Sequence, residues 1–169
     1  MPVTYASGDA SLPVPGCADV VIFHIVNDVP VWRTAAHHHG VGFAAALGAR
    51  YPEAMTAYIA ARPRLGDCLL VDVRPTGLRR LRIAHLCAQS GLPSRRNPRP
   101  FRLVDLGTAL RSLRAGLDTE RPTGVLLQGP RIGTGYGGGD WAQIQALLTT
   151  GLAPYDVRIL TPSTPESPP

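Results

Sequence analysis

The sequence has no lysine: all seventeen of its basic residues are arginine. No side chain can therefore act as a Schiff-base nucleophile or as a lysyl proton shuttle. A P-loop nucleotidase is excluded with it, because GxxxxGK(S/T) requires that residue. Cysteine is scarce. Cys17, Cys68 and Cys87 are odd in number and have no CxxC spacing. That points to buried thiols in a reduced, cytoplasmic setting rather than to a disulfide framework. Long apolar runs are also missing. The longest, "VVIFHIV", is too short to cross a bilayer, so no membrane association is expected. The start, "MPVTYASGDA", has neither a charged leader nor an apolar stretch, and no signal peptide is expected. No internal repeat is found. His37, His38 and His39 are adjacent and cannot share one helical face. Zinc sites space their ligands, so no metal site is expected and the histidines read as a solvated loop.

What remains is a chain of 169 residues, enough for one domain with a real core. The domain is expected over residues 1–161. The polar, proline-rich 162–169 is expected to be a disordered tail. The net charge of +5 suits an anionic ligand or partner. Arginine clusters once, in "SRRNPRPFR". This reads as an exposed loop, with a nucleic-acid patch as the alternative.

Strand and helix signals alternate. Val3–Ala6 is a short strand candidate. "DVVIFHIVN" (Asp19–Asn27) is a near-continuous β-branched run, the pattern of a central strand buried on both faces. A loop follows over Asp28–His39. "GVGFAAALGARYPEAMTAYIAARP" has helical spacing, with Pro52 marking a break or a new first turn. Cys68–Val73 and Leu81–Ala88 are strands joined by the turn-like "RPTG". Leu103, Leu106, Leu110, Leu113 and Leu117 form the strongest helical stripe. Gly124–Gln128 is a strand, "WAQIQALL" a helix and Asp156–Leu160 the last strand. This order predicts a layered α/β domain with a largely parallel or mixed sheet.

In such domains ligands sit at the carboxyl ends of strands. "SGDA", the segment from "HIVND" to "HHHGVGF", and "PRIGTGYGGGDW" all meet that condition. Gly40 and Gly42 open a helix, where free amides and the dipole favour an anion. Gly133, Gly135, Gly137, Gly138 and Gly139 would let a second loop turn its amides toward the same anion. Together the loops suggest a clamp on a diphosphate; each alone reads as a tight turn. The dinucleotide pattern GxGxxG does not follow the first strand.

These pieces, in this order, resemble the macro domains, which bind ADP-ribose. The resemblance runs from about Thr4 to Leu160. It comprises "GDA", "IVND", "GVGFAAAL…YPEA", "AQSG" and "PRIGTGYGGGDW". It is nearest the subgroup of the terminal ADP-ribose protein glycohydrolase and the ADP-ribose-1″-phosphate phosphatases. It implies a three-layer α/β/α fold with a mixed central sheet, and ADP-ribose as ligand with no further cofactor. It implies that Asp9, with Ala10 beside it, accepts from the adenine amino group; an Asx turn is the plain alternative. Asn27 and Asp28 would face the distal ribose, and Trp32, in the loop that follows, would be a further ligand-binding residue. Gly40, Val41, Gly42 and Phe43 would form one phosphate loop. Arg131, Ile132, Gly133, Thr134, Gly135, Tyr136, Gly137 and Gly138 would form the other, with Tyr136 over the distal ribose or simply at the surface.

Two departures from that subgroup bear on chemistry. Gln89 stands where the glycohydrolase has its nucleophilic lysine, and Gly137 stands where it has its catalytic aspartate. The segment "RTAAHHH" also lengthens the loop before Gly40. The resemblance then implies hydrolysis of ADP-ribosyl esters on acidic side chains through water, with Asp140 as general base and Asn27 or Gln89 orienting the water or the ribose. Asp140 also reads as the N-cap of "WAQIQALL". A non-catalytic ADP-ribose reader, a 1″-phosphate phosphatase and a hydrolase acting on ADP-ribosylated nucleic acid stand as alternatives. ADP-ribosylated proteins or free ADP-ribose are the implied partners.

Overall fold

A computed structural model describes residues 3–29, 42–74, 77–120, 124–135 and 137–162. Trp32, His37, His38, His39, Gly40, Val41 and Tyr136 lie outside these, as does the tail beyond Pro162. The described elements are β1 (Val3–Ser7), β2 (Asp19–Asn27), α1 (Phe43–Arg50), α2 (Pro52–Ala61), β3 (Cys68–Val73), β4 (Arg80–Gln89), α3 (Leu103–Glu120), β5 (Val125–Gly129), α4 (Trp141–Gly151) and β6 (Asp156–Thr161). Helix breaks fall where local chemistry puts them. Pro52 occupies the first turn of α2, after Tyr51 has closed α1.

The strands form one sheet in the order β1-β6-β5-β2-β4-β3. Every neighbouring pair is parallel except β3 with β4, which is antiparallel. The sheet is therefore mixed. The apolar run of β2 lies between β4 and β5, and Val20 to Phe23 are fully buried. The two faces are covered by different helices. Phe23, Leu86 and Leu127 pack with Leu106, Leu110 and Leu113 of α3 and Ile144 and Leu148 of α4. Val20, Ile22 and Ile83 pack with Leu47 of α1 and Ala54 and Tyr58 of α2. This is the three-layer α/β/α arrangement. The leucine stripe holds α3 in place, since each fully buried leucine contributes about 1.5–3 kcal/mol. The exposed face of α3 is largely polar, with Val104 the large apolar exception at 81% exposure.

The amino ends of β2 and β4, with the carboxyl end of the antiparallel β3, carry a charge network. Arg79 pairs with Asp19 at 2.6 Å and Arg80 with Asp72 at 2.6 Å. Arg80 and the buried Arg82 share Glu120, at 2.8 and 2.6 Å. Glu120 ends α3, where the helix dipole disfavours an anion, and the two guanidinium groups offset that. The network leaves the carboxyl ends of the strands for a ligand.

Candidate functional site

α1, the next described helix after β2, packs with α2 on one face of the sheet, and α4, the helix after β5, packs on the opposite face. Connections diverging from neighbouring parallel strands open a crevice outside their carboxyl ends, where α/β sheets hold ligands. On the β2 side of that position stand Asn27 and Asp28, at the strand's end, and Gly42 and Phe43, at the start of α1; on the β5 side Pro130 and Asp140 flank the loop ahead of α4, and Gln89 ends β4 in register with Asn27.

Gly42 is the residue before α1. No side chain caps that helix, and its φ of 133° suits glycine. The first amides of α1 have no intrahelical acceptor, so this end can receive an anion. A Cβ built on Gly42 would meet no described atom within 4 Å.

The glycines of the β5 loop separate into two kinds. A Cβ on Gly133 would come within 3.0 Å of the Phe101 ring, and one on Gly139 within 2.6 Å. On Gly137 it would meet the Gly133 carbonyl at 2.8 Å, and on Gly138 the Arg99 side chain at 2.9 Å. At Gly135 it would meet no described atom within 4 Å. Most of these residues are thus glycine because the protein packs against itself. Gly135, like Gly42, is open. Phe101 is the ring around which the loop folds, and its amide donates to the Gly137 carbonyl at 3.3 Å. The segment before it is closed by Ser90 N–H to Pro100 O at 2.8 Å, and by Asn97 Nδ2 donating to Ser90 O at 2.7 Å. Arg95, Arg96 and Arg99 are exposed on that segment, as an exposed arginine loop requires. Phe101 was not singled out in the sequence. Its only signal is an aromatic residue closing a Pro/Arg-rich stretch just before a helix.

Asp9 forms the Asx turn: Oδ1 accepts from the Ser11 amide at 2.9 Å and from the Ser11 hydroxyl at 2.7 Å. The serine hydroxyl, and more weakly Arg50 at 3.5 Å, hold its carboxyl below the usual carboxylate value. It is an ionised, exposed acceptor. Ala10 beside it is buried. Asp9 also borders a groove of about 810 Å³ on the α1–α2 face, whose walls include Leu12, Tyr51, Arg74 and Arg158.

Asn27 and Asp28 are both tied to their surroundings. Asn27 Oδ1 accepts from the Val29 amide at 2.9 Å and from the Tyr58 hydroxyl at 3.1 Å. Asp28 Oδ1 accepts from the Gly91 amide at 2.7 Å, which links the β2 end to the loop after Gln89. Asp140 caps α4: its Oδ1 accepts from the Gln143 amide at 3.1 Å. Arg131 points along the α4–β1 edge, where its guanidinium lies 5.9 Å from the Tyr5 ring and 5.5 Å from the Trp141 ring. Trp141 Nε1 donates to the Tyr5 hydroxyl at 3.2 Å. Ile132 is buried in the core, and the Thr134 hydroxyl donates to the Arg131 carbonyl at 3.1 Å.

No protein-family model matches the sequence, and no curated protein is similar to it. Solved structures are. A macrodomain protein from Streptomyces coelicolor superposes with a TM-score of 0.73 at 24% identity, over 95% of this chain and 99% of that one. The macrodomain of Mycobacterium tuberculosis DarG gives 0.72 at 25%, over 95% and 98%. The chain has the macrodomain fold. A further macrodomain-fold neighbour, Thermosipho africanus DarTG in complex with ADP-ribose, gives 0.61 at 15% identity over 90% of this chain and 40% of that one.

Within this macrodomain fold the side chains limit the chemistry. Burial pushes the Cys68 and Cys87 thiols up to about 12, so neither supplies a thiolate near neutral pH. His24 Nε2 and His85 Nδ1 lie 2.6 Å apart in the core. Burial holds His85 down to about 4 and His24 well below its ordinary value. Both stay neutral beneath the site. Among the described residues no cluster of histidine, cysteine and carboxylate could hold a metal ion. The described polar groups there include the Asp28 and Asp140 carboxylates, the Asn27 and Gln89 carboxamides, the Thr134 hydroxyl and backbone amides.

Proposed function

We propose that the chain binds ADP-ribose in this crevice and hydrolyses ADP-ribosyl esters on acidic protein side chains. The observation that carries the reading is the pair of open glycines, Gly42 and Gly135. Each stands ahead of a helix that follows a parallel strand, Gly42 before α1 and Gly135 in the loop before α4, and one macrodomain-fold neighbour is recorded in complex with ADP-ribose. On this reading the α1 amides and the β5 loop hold the diphosphate, Asp9 accepts from the adenine amino group, and Asn27 faces the distal ribose. Water is the nucleophile, because the chain has no lysine and two of its thiols are held protonated. Asp140 is the candidate general base, a role typically worth about 10²–10⁴-fold. Its Oδ1 is used in the helix cap, and Oδ2 is the atom left for a proton.

A non-catalytic reader is favoured by one observation: the cap accounts for Asp140 without any chemistry. Binding and turnover measurements test the readings. Calorimetry should show ADP-ribose binding much more tightly than ATP or NAD; equal affinity for ATP rejects the diphosphate clamp. Gly135→Glu should abolish binding while leaving the melting temperature near wild type, because its Cβ meets open space. Gly42 is the poorer probe, since its φ disfavours any side chain. Carboxylate-linked, arginine-linked and DNA-linked substrates should then be incubated in parallel. Loss of label from the first alone supports the esterase, and loss from none supports the reader. Borohydride during turnover should trap no side-chain adduct.

A further inference from the structure

The end of β2 is held by a residue of α2 that the sequence did not single out. Tyr58 is buried, with 1% of its surface exposed. Its hydroxyl lies 2.8 Å from the Asn27 carbonyl, 3.1 Å from Asn27 Oδ1 and 2.7 Å from the Val29 carbonyl. All three are acceptors around a single O–H donor. Burial, with Cys87 and Asp28 adding to it, raises the Tyr58 pKa, so the hydroxyl keeps its proton. The Val29 amide donates to the same Oδ1 at 2.9 Å. A carboxamide is symmetric in shape and its orientation must be read from its partners. Here the partners decide. The Val29 N–H can only donate, so the atom it meets is the oxygen, and the Asn27 oxygen faces inward. Nδ2 is the remaining end of the carboxamide, and it makes no hydrogen bond to any described residue.

We infer that Tyr58 is a positioning residue that makes Asn27 a hydrogen-bond donor toward the distal sugar of the ligand, so that the crevice selects ligands presenting an acceptor oxygen there. The inference rests on the ADP-ribose reading above and adds the polarity of one contact and the residue that sets it. Tyr58 itself touches no ligand. Without its hydroxyl, Oδ1 keeps only the Val29 amide, and the carboxamide is held by one contact instead of two. A donor offered to an acceptor that can turn away is worth less than a fixed one.

The test compares ADP-ribose with ADP, which has the same adenosine diphosphate but no distal sugar. Wild type should bind ADP-ribose more tightly than ADP. Tyr58→Phe should weaken ADP-ribose about tenfold, the loss of one well-placed hydrogen bond of ~1.4 kcal/mol. It should leave ADP within about twofold. Retained ADP affinity also reports that the variant is folded, and a merely structural role would weaken both ligands together. Asn27→Ala should lose the same discrimination, and adding Tyr58→Phe to it should cost nothing further if Tyr58 acts through Asn27. Asn27→Asp keeps both contacts to Oδ1 but replaces the outward donor by a carboxylate oxygen. It should abolish the preference for ADP-ribose, and it carries the test if Tyr58→Phe does not fold. An unchanged ADP-ribose to ADP ratio in Tyr58→Phe, or in Asn27→Asp, overturns the inference. Wild type showing no preference for ADP-ribose overturns the distal-sugar reading itself, and the inference with it.

Discussion

Single residues at the crevice do structural work that can be separated from any chemistry. Asp140 shows this best. Its carboxylate caps α4 through the Gln143 amide, and removal of a cap costs about 0.5–2 kcal/mol. Asp140→Ala should therefore lower the melting temperature, while Asp140→Asn should leave it near wild type. Hydrolysis assays of the same variants decide the second role. Loss of rate in Asn at unchanged stability makes Asp140 a base. Full activity in Asn makes it a cap alone and moves orientation of the water to Asn27 and Gln89. The glycines divide in the same way. Gly133 has φ 76° and a Phe101 carbon 3.0 Å from its would-be Cβ, so Gly133→Ala should destabilise the fold by about 1–2 kcal/mol from the backbone alone. Gly135→Ala should stay within about 0.5 kcal/mol. Urea denaturation of the pair reads this contrast directly.

At the level of elements, the β5 loop and the segment before α3 form one unit. The loop takes its shape from the Phe101 ring and from the Gly137 carbonyl that receives the Phe101 amide. Phe101→Ala would remove the surface on which Gly133, Gly137 and Gly139 rest. Phe101 is only partly buried, so the variant should melt a few degrees lower. Its affinity for ADP-ribose should fall well beyond tenfold, because the diphosphate amides are then no longer preset. If calorimetry gives wild-type affinity for Phe101→Ala, the loop is ordered without its ring and the packing account of the glycines is wrong. Tyr58 plays the corresponding part on the other wall, reaching from α2 to the end of β2.

For the whole molecule, the two layers around the sheet set how stability responds to pH. His24 and His85 are neutral in the folded core, with His85 held down to about 4 by burial, whereas an unfolded imidazole titrates near 6.5. Between those values the unfolded chain carries more protons. Stability therefore falls as pH falls from about 6.5 to about 4, by roughly 1.4 kcal/mol per pH unit for each proton. Asp19 and Asp72 are held below their ordinary value, first by hydrogen bonds from Arg79 and Arg80. Their contribution is present above pH about 4 and is lost below it. Denaturant midpoints measured from pH 7 to 4.5 should decline steadily. A flat profile would contradict a neutral buried histidine pair.

The sequence by itself determined the elements, and their ends to within about three residues. The β-branched run of β2, the leucine stripe of α3, Pro52 at the start of α2 and the Asp140 cap are local signals with periods of two or 3.6 residues, and each lies where those periods put it. The loops at the carboxyl ends were legible for the same reason, because glycine and strand ends are visible in one dimension. The tertiary structure alone decided what the glycines face. It brought Phe101 against Gly133 and Gly137, Arg131 over Tyr5 and Trp141, and the Tyr58 hydroxyl onto Asn27, 31 residues away. No periodicity encodes such pairs. They depend on the order β1-β6-β5-β2-β4-β3, which is fixed only when both faces of the sheet are buried at once.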